Sequence, residues 1–141
     1  MVRRDTYLEH LGSVPLFAAC SQKDLQRIAR ASDEVQVPEG RTLMKQGDVG
    51  RECFVLVEGK VKVERNGRKV ASLGPGAYFG ELSLLDKGPR TATVSTETDS
   101  TVLVLGPREF SGVLDEVPQL AHKLLAALAQ RVRDLDTKVY G

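Results

Sequence analysis

The sequence predicts a mainly β fold with flanking helices, a jelly-roll or barrel of about eight short strands in one block from Asp33 to Gly106. Two observations carry that expectation. Apolar runs of strand length recur between Gly, Pro and Asn-Gly breaks across the block, and helical periodicity is confined to the residues on either side of it. Strands this short in one contiguous block suit a jelly-roll or barrel better than a βαβ sheet. With 141 residues, 41% of them hydrophobic, one core can be filled, because a domain of ~150 residues buries roughly two-thirds of its unfolded surface.

Residues 1–32 read as helical. Tyr7, Leu8 and Leu11 share a face, and Ser21-Gln22-Lys23-Asp24 opens a second run carrying Leu25, Ile28 and Ala29. Ser21 suits an N-cap, and Asp24 approximates the capping box that Glu or Gln would fit better. Strands are expected at Glu34–Val37, Thr42–Met44, Phe54–Val57, Lys60–Glu64, Arg68–Leu73, Thr91–Ser95 and Thr101–Leu105. Lys60 to Glu64 alternates polar and apolar, so one face packs inward and the other meets water. Asn66-Gly67 joins it to Arg68–Leu73 as a type I′ turn, which needs two residues tolerant of positive φ. Pro107 lies just inside a helical start, and Arg108 to Asp115 followed by Pro118 to Val139 restores helical periodicity. In the last helix Leu125, Leu128, Val132, Leu135 and Val139 form an apolar seam at intervals of three and four. That seam either lies on the barrel or meets a second helix in a dimer.

Twenty Lys and Arg against 19 Asp and Glu leave a net charge of +1, which argues against broad nucleic-acid binding and against a polybasic membrane surface. No apolar run reaches the ~18 to 20 residues of a membrane span, and Met1 to Thr6 leads into a mixed helix rather than a signal core. A soluble, cytoplasmic protein is expected. Cys20 and Cys53 form no CxxC pair, which suits reduced thiols and provides no zinc site. His10 and His122 both fall outside the strand block. Neither a histidine-based metal cluster nor a nucleophilic triad can therefore form in the barrel, and no metal or enzymatic activity is expected.

The chemistry concentrates between Gly74 and Val94. Gly74, Gly76 and Gly80 interrupt the barrel, a short apolar turn of helix is expected from Gly80 to Leu85, and Arg90 follows Gly88-Pro89 at the entrance to a strand. Free N–H groups at that helix start, with the positive end of its dipole, favour a phosphate. Arg90 adds a charge-assisted, bidentate-capable partner. Glu81 would repel a phosphate, so its carboxylate makes sense as an acceptor for a neutral donor such as a sugar hydroxyl. Together these residue types describe a sugar phosphate.

Phe79-Gly80-Glu81-Leu82-Ser83-Leu84, followed nine residues after Glu81 by Arg90 in Pro89-Arg90-Thr91-Ala92-Thr93-Val94, resembles the phosphate-binding cassette of the cyclic nucleotide-binding domain family. Gly47-Asp48 and the run Phe54 to Val63 resemble the strand signature of the same family, so the similarity spans essentially the whole chain. The resemblance implies an eight-stranded jelly-roll, or double-stranded β-helix, with N-terminal helices and a C-terminal helical hinge or lid. Residues 1–141 would then form one sensor domain: helices 1–32, barrel 33–106 with the cassette at 74–91, and helices 107–141.

By the same resemblance Glu81, with the Gly80 backbone, would bind the ribose 2′-hydroxyl and Arg90 the exocyclic phosphate oxygens. The Ser83 N–H would face the phosphate, and Thr91 the phosphate or the base. Val63, Val70, Ala71 and Leu82, with Phe79 and Ala92, would line the pocket. Threonine after the cassette arginine resembles cGMP-binding members, yet cAMP-binding members also carry a hydroxyl there. The expected ligand is cAMP, with cGMP the alternative. Other members place Thr and Ser of the final helix at the base, whereas this chain has Asp134-Leu135-Asp136-Thr137, so Leu135 or Tyr140 is the expected cap. Residues 107–141 are expected to move or become ordered on binding, with Leu84 and Leu85 as latch contacts. The output would pass to an effector protein or an effector domain outside this sequence, with a homodimer through the last helix as a further partner. Direct nucleic-acid binding is not expected. A barrel without ligand, serving only protein interaction, is the alternative from another functional class; the joint presence of Glu81 and Arg90 argues against it.

Overall fold

The computed structural model describes residues 8, 9, 11, 12, 17, 18, 20–80 and 88–140, with side chains as far as 135. Ser21 caps helix α1 (Gln22–Ala31): its Oγ accepts the Asp24 N–H at 3.2 Å, and its own N–H donates to the Asp24 carboxylate at 3.3 Å. Asp24 thus completes a reciprocal capping box in spite of its short side chain. Leu25 and Ile28 form the buried face of this helix.

The strands are β1 (Asp33–Val37), β2 (Thr42–Met44), β3 (Cys53–Glu58), β4 (Val61–Arg65), β5 (Arg68–Leu73), β6 (Tyr78–Phe79), β7 (Thr93–Thr96) and β8 (Ser100–Leu105). Helices α2 (Pro107–Glu116) and α3 (Pro118–Tyr140) follow. The strands form two four-stranded sheets, β1-β8-β3-β6 and β2-β7-β4-β5, in which all paired neighbours are antiparallel. This is the expected jelly-roll with helices at both ends.

Two apolar cores explain the strand patterns. Phe54, Leu56, Phe79 and Val102 of the first sheet pack with Val61 and Val94 of the second. On the other face of the first sheet, Cys53, Val55, Val57, Leu103 and Leu105 pack against Leu25, Ile28, Phe110, Val113, Val117, Leu120 and Leu124 of the helices. Strand β3 is therefore buried on both faces, which is why Phe54 to Val57 is continuously apolar, whereas Lys60 to Glu64 alternates with one wet face. At the tip of the second sheet Asn66 (φ 54°) and Gly67 (φ 78°) provide the two positive φ angles of the expected hairpin turn.

Three details differ from expectation. Strand β6 has only two residues and no periodicity to reveal it; it pairs Phe54 with Phe79 and Val55 with Tyr78. The strand expected from Thr91 begins at Thr93, because the chain at Arg90 bonds to a loop instead: Arg90 N–H donates to Asp48 C=O and Gly47 N–H to Arg90 C=O, both at 2.9 Å. The apolar seam of α3 divides: Leu128 packs on the core, three of its residues face outward, and the Val139 side chain lies outside the described part. Leu125, Val132 and Leu135 are more than half exposed, while Val117, Leu120 and Leu124 make the packed face, with Leu128 partly buried beside them.

Pro118 explains the break between α2 and α3. A proline disfavours helical geometry in the residue before it, and Val117 takes φ −126° and ψ 76°. Arg27 of α1 pairs with Glu116 at this junction, and Gln119 Nε2 donates to the Asp24 carboxylate at 3.0 Å. The leading and trailing helices are thereby joined through side chains as well as through the core. Among the described residues no helix is long and apolar enough to cross a membrane.

Candidate functional site

Arg90 is the most buried charged residue described, with 5% of its surface exposed. The loop bonds to Gly47 and Asp48 fix its backbone, and its Nη1 donates to the Gly80 carbonyl at 3.1 Å. Its guanidinium carbon lies 5.8 Å from the centroid of the Phe54 ring, within cation–π range. Phe54 is itself held by stacking on Phe79 at a centroid distance of 5.3 Å.

Two glycines make room for this cation. A Cβ at Gly50 would come within 1.9 Å of Arg90 Nε, and one at Gly80 within 2.7 Å of Nη1. Gly80 also has φ +87°, which side-chain-bearing residues rarely adopt. Burying a guanidinium costs free energy unless it is paired. Among the described residues no carboxylate forms an ion pair with Arg90. The arrangement suits an anion.

Arg90 opens onto a cavity of about 450 Å³, within the range of small-ligand sites. Of the residues expected from sequence, the structure brings Val63, Val70, Ala71, Phe79, Gly80, Arg90, Thr91 and Ala92 together around it. Val70 and Ala71 both reach the cavity although adjacent in sequence. The ladder between β4 and β5 shifts there, since Val63 pairs with Ala71 but Glu64 pairs with Lys69, and the extra residue Val70 no longer alternates away.

Glu81, Leu82, Ser83, Leu84 and Leu85, with the helix expected from Gly80 to Leu85, lie outside the described residues. Tyr140 belongs to the last turn of α3 by its backbone, and its side chain lies outside the described part. Leu135 is 61% exposed and does not line the cavity. The residue of α3 that does is Arg131, one turn earlier. Sequence reasoning also passed over Arg65, Met44, Leu73 and Tyr78 in the lining. Arg65 was discoverable by alternation, as it falls two residues after Val63 on β4. Arg131 carried no local signal, because only the packing of α3 brings it to the barrel.

Arg65, Arg90 and Arg131 make the cavity cationic, with no carboxylate among its described lining residues. The shifted titrations fall elsewhere. Hydrogen bonds from Ser72 and Lys69 hold the Glu97 carboxyl below its usual range, and burial followed by the nearby Asp24 charge pushes the Cys20 thiol up. No three His, Cys, Asp or Glu side chains among the described residues are grouped to hold a metal ion.

Residues 34–117 match the sequence pattern of the cyclic nucleotide-binding domain. The chain belongs to that family. Among relatives of this cyclic nucleotide-binding domain, the cyclic AMP receptor protein of Thermus thermophilus is 32% identical over 130 residues, 89% of this chain and 60% of the relative. The cAMP-dependent protein kinase regulatory subunit of Aspergillus niger is 35% identical over 123 residues, 86% of this chain and 30% of the relative. The crystal structure of the Thermus thermophilus catabolite activator protein superposes with a TM-score of 0.83 at 33% identity, covering 89% of this chain and 61% of that one. The chain thus spans at most about three-fifths of the length of each of these proteins.

Proposed function

We propose that the chain is a regulatory sensor domain that binds a 3′,5′-cyclic nucleotide, cAMP before cGMP, and passes the binding event to the helices after the barrel. The observation that carries this reading is the buried Arg90 guanidinium, held by Gly80 and Phe54 beside a cavity with no carboxylate among its described lining residues. Its fork donates to the exocyclic phosphate oxygens and compensates one negative charge. Following the family pattern, Glu81 and the Gly80 backbone receive the ribose 2′-hydroxyl, Ser83 N–H adds a phosphate contact, and Thr91 faces phosphate or base. Val63, Val70 and Ala71 take the apolar faces of the base. Relatives whose names carry cAMP, a receptor protein and a kinase regulatory subunit, support adenine over guanine.

The reading is one of binding without turnover. No histidine is among the described lining residues, so the phosphate meets the Arg90 cation with no described imidazole beside it to activate water. Coupling follows from Arg131, which brings α3 to the same cavity. A ligand that touches Arg90 and Arg131 together favours the state in which α3 is close, by the difference in its affinity for the two states. The effector is then a partner protein or a domain outside this sequence.

The test is calorimetric titration of the chain with cAMP and cGMP. Arg90→Ala should weaken binding by about 2 to 5 kcal/mol, the range for removing one side of a desolvated charge pair. Unchanged affinity in that variant would remove the reading. Hydrogen exchange across 107–141 should slow at saturating ligand.

A second reading concerns assembly. Leu125, Val132 and Leu135 expose a heptad-spaced stripe on α3, at 64%, 56% and 61%. Such a stripe fits the same helix of a second copy, giving a homodimer whose contact adjoins the cavity.

A further inference from the structure

We propose that Arg65 reads the polar edge of the base and thereby sets how strongly the site prefers one purine over the other. This rests on the cyclic nucleotide reading above and deepens it. Arg65 is the last residue of β4 and lines the same cavity as Arg90. It follows Val63 by one pleat on the same face, a rise of roughly 6.6 Å at about 3.3 Å per residue. A base packed on Val63, Val70 and Ala71 with its phosphate at Arg90 therefore presents its outer edge toward Arg65.

The local electrostatics leave this guanidinium available. Its side chain forms no hydrogen bond or ion pair with any described residue; the neighbouring Glu64 pairs instead with Lys62 at 3.4 Å. Across the turn Arg65 stands opposite Arg68, and like charges directly opposite are unfavourable in a sheet. No carboxylate of the described lining offsets them. An electron-rich group entering the cavity would relieve this excess.

The shape of the donor determines which group. Guanine offers two adjacent acceptors, O6 and N7, that match the two parallel N–H bonds of an arginine fork. Adenine offers N7 beside an N6 amino donor, so only one of the two bonds can form. Arg65 therefore strengthens binding of cGMP more than that of cAMP and narrows whatever preference for cAMP the rest of the site creates.

The experiment is a calorimetric comparison of cAMP, cGMP and 7-deaza-cGMP with the unaltered chain, Arg65→Ala and Arg65→Lys. Arg65→Ala should weaken cGMP about tenfold more than cAMP. Arg65→Lys, which keeps the charge and loses the fork, should behave nearer to alanine than to arginine. With the unaltered chain 7-deaza-cGMP should bind more weakly than cGMP, and in Arg65→Ala that difference should vanish. An equal loss for cAMP and cGMP, or no loss for either, overturns the proposal while leaving the cyclic nucleotide reading intact. A lysine variant equivalent to the unaltered chain also overturns it. Absence of binding of every nucleotide to the unaltered chain overturns both.

Discussion

Gly50→Ala tests the site without deleting any functional group. The substitution adds one methyl, which in the present geometry would sit 1.9 Å from Arg90 Nε and 2.3 Å from its guanidinium carbon. Ordinary contact begins near 3.5 Å, so the guanidinium must retreat by roughly 1.6 Å. Gly50 does not occupy the positive-φ region, and a Gly-to-Ala change at a compatible position shifts stability by only about 0.4 to 1 kcal/mol through the unfolded chain. The cost falls on Arg90 itself. A displacement of that size breaks the 3.1 Å bond to the Gly80 carbonyl and the seat on Phe54, and a misplacement of about 1 Å can cost a hundredfold where geometry is demanding. We expect cAMP affinity to fall by about ten- to a hundredfold, with a melting temperature within a few degrees of the unaltered chain. Calorimetry paired with thermal melting reads both. Unaltered affinity at unaltered stability would refute the argument that Arg90 acts from the position it holds here.

Phe54→Ala removes the floor under Arg90 and the stacking partner of Phe79; a cost of about 3 to 5 kcal/mol of stability is expected for a buried phenylalanine, measured by denaturant unfolding. Val132→Glu or Leu135→Glu places charge in the exposed stripe of α3 and should lower the solution mass if the stripe joins two copies; a mass unaffected by either change, or monomeric before it, would count against the dimer. The Glu97 carboxyl has a depressed pKa in the folded chain, so its contribution to stability is present above the unfolded carboxylate pKa and is lost as pH falls through the lower folded value. Glu97→Gln should therefore flatten the acid side of the stability profile, and the Glu97 carboxyl resonance should titrate below that of a free glutamate.

Local chemistry was legible in the sequence where a short span contains its own cause. Ser21 with Asp24 fixed the start of α1, and Asn66-Gly67 fixed the hairpin at the tip of the second sheet. Gly80, Arg90, Thr91 and Val63 were readable as a set because the spacing of glycines, arginine and strand is itself the pattern. What escaped depends on tertiary packing. Strand β6 exists because Phe79 finds Phe54, and two residues have no period from which to be recognised. The seam of α3 was periodic, yet Leu125, Val132 and Leu135 turned out to be exposed while Leu128 packs, since periodicity reveals that a face is apolar and not what covers it. Arg131 reaches the cavity from a helix that begins after the whole barrel is complete, a meeting that no spacing within either segment encodes.

The break at Val117 gives α3 the properties of a lever arm. Arg131 lies thirteen residues beyond Pro118, about 20 Å along the axis at 1.5 Å per residue. A rotation of only about 10° at the break carries Arg131 through roughly 3.5 Å by that length, more than the reach of a hydrogen bond. In the proposed coupling, a change in the dihedral angles at the pivot, with Leu120 and Leu124 shifting on the core they pack against, would separate a state in which α3 touches the cavity from one in which it does not. The remainder of α3 magnifies the same rotation further, so the far end of the helix would report it more strongly than Arg131 does.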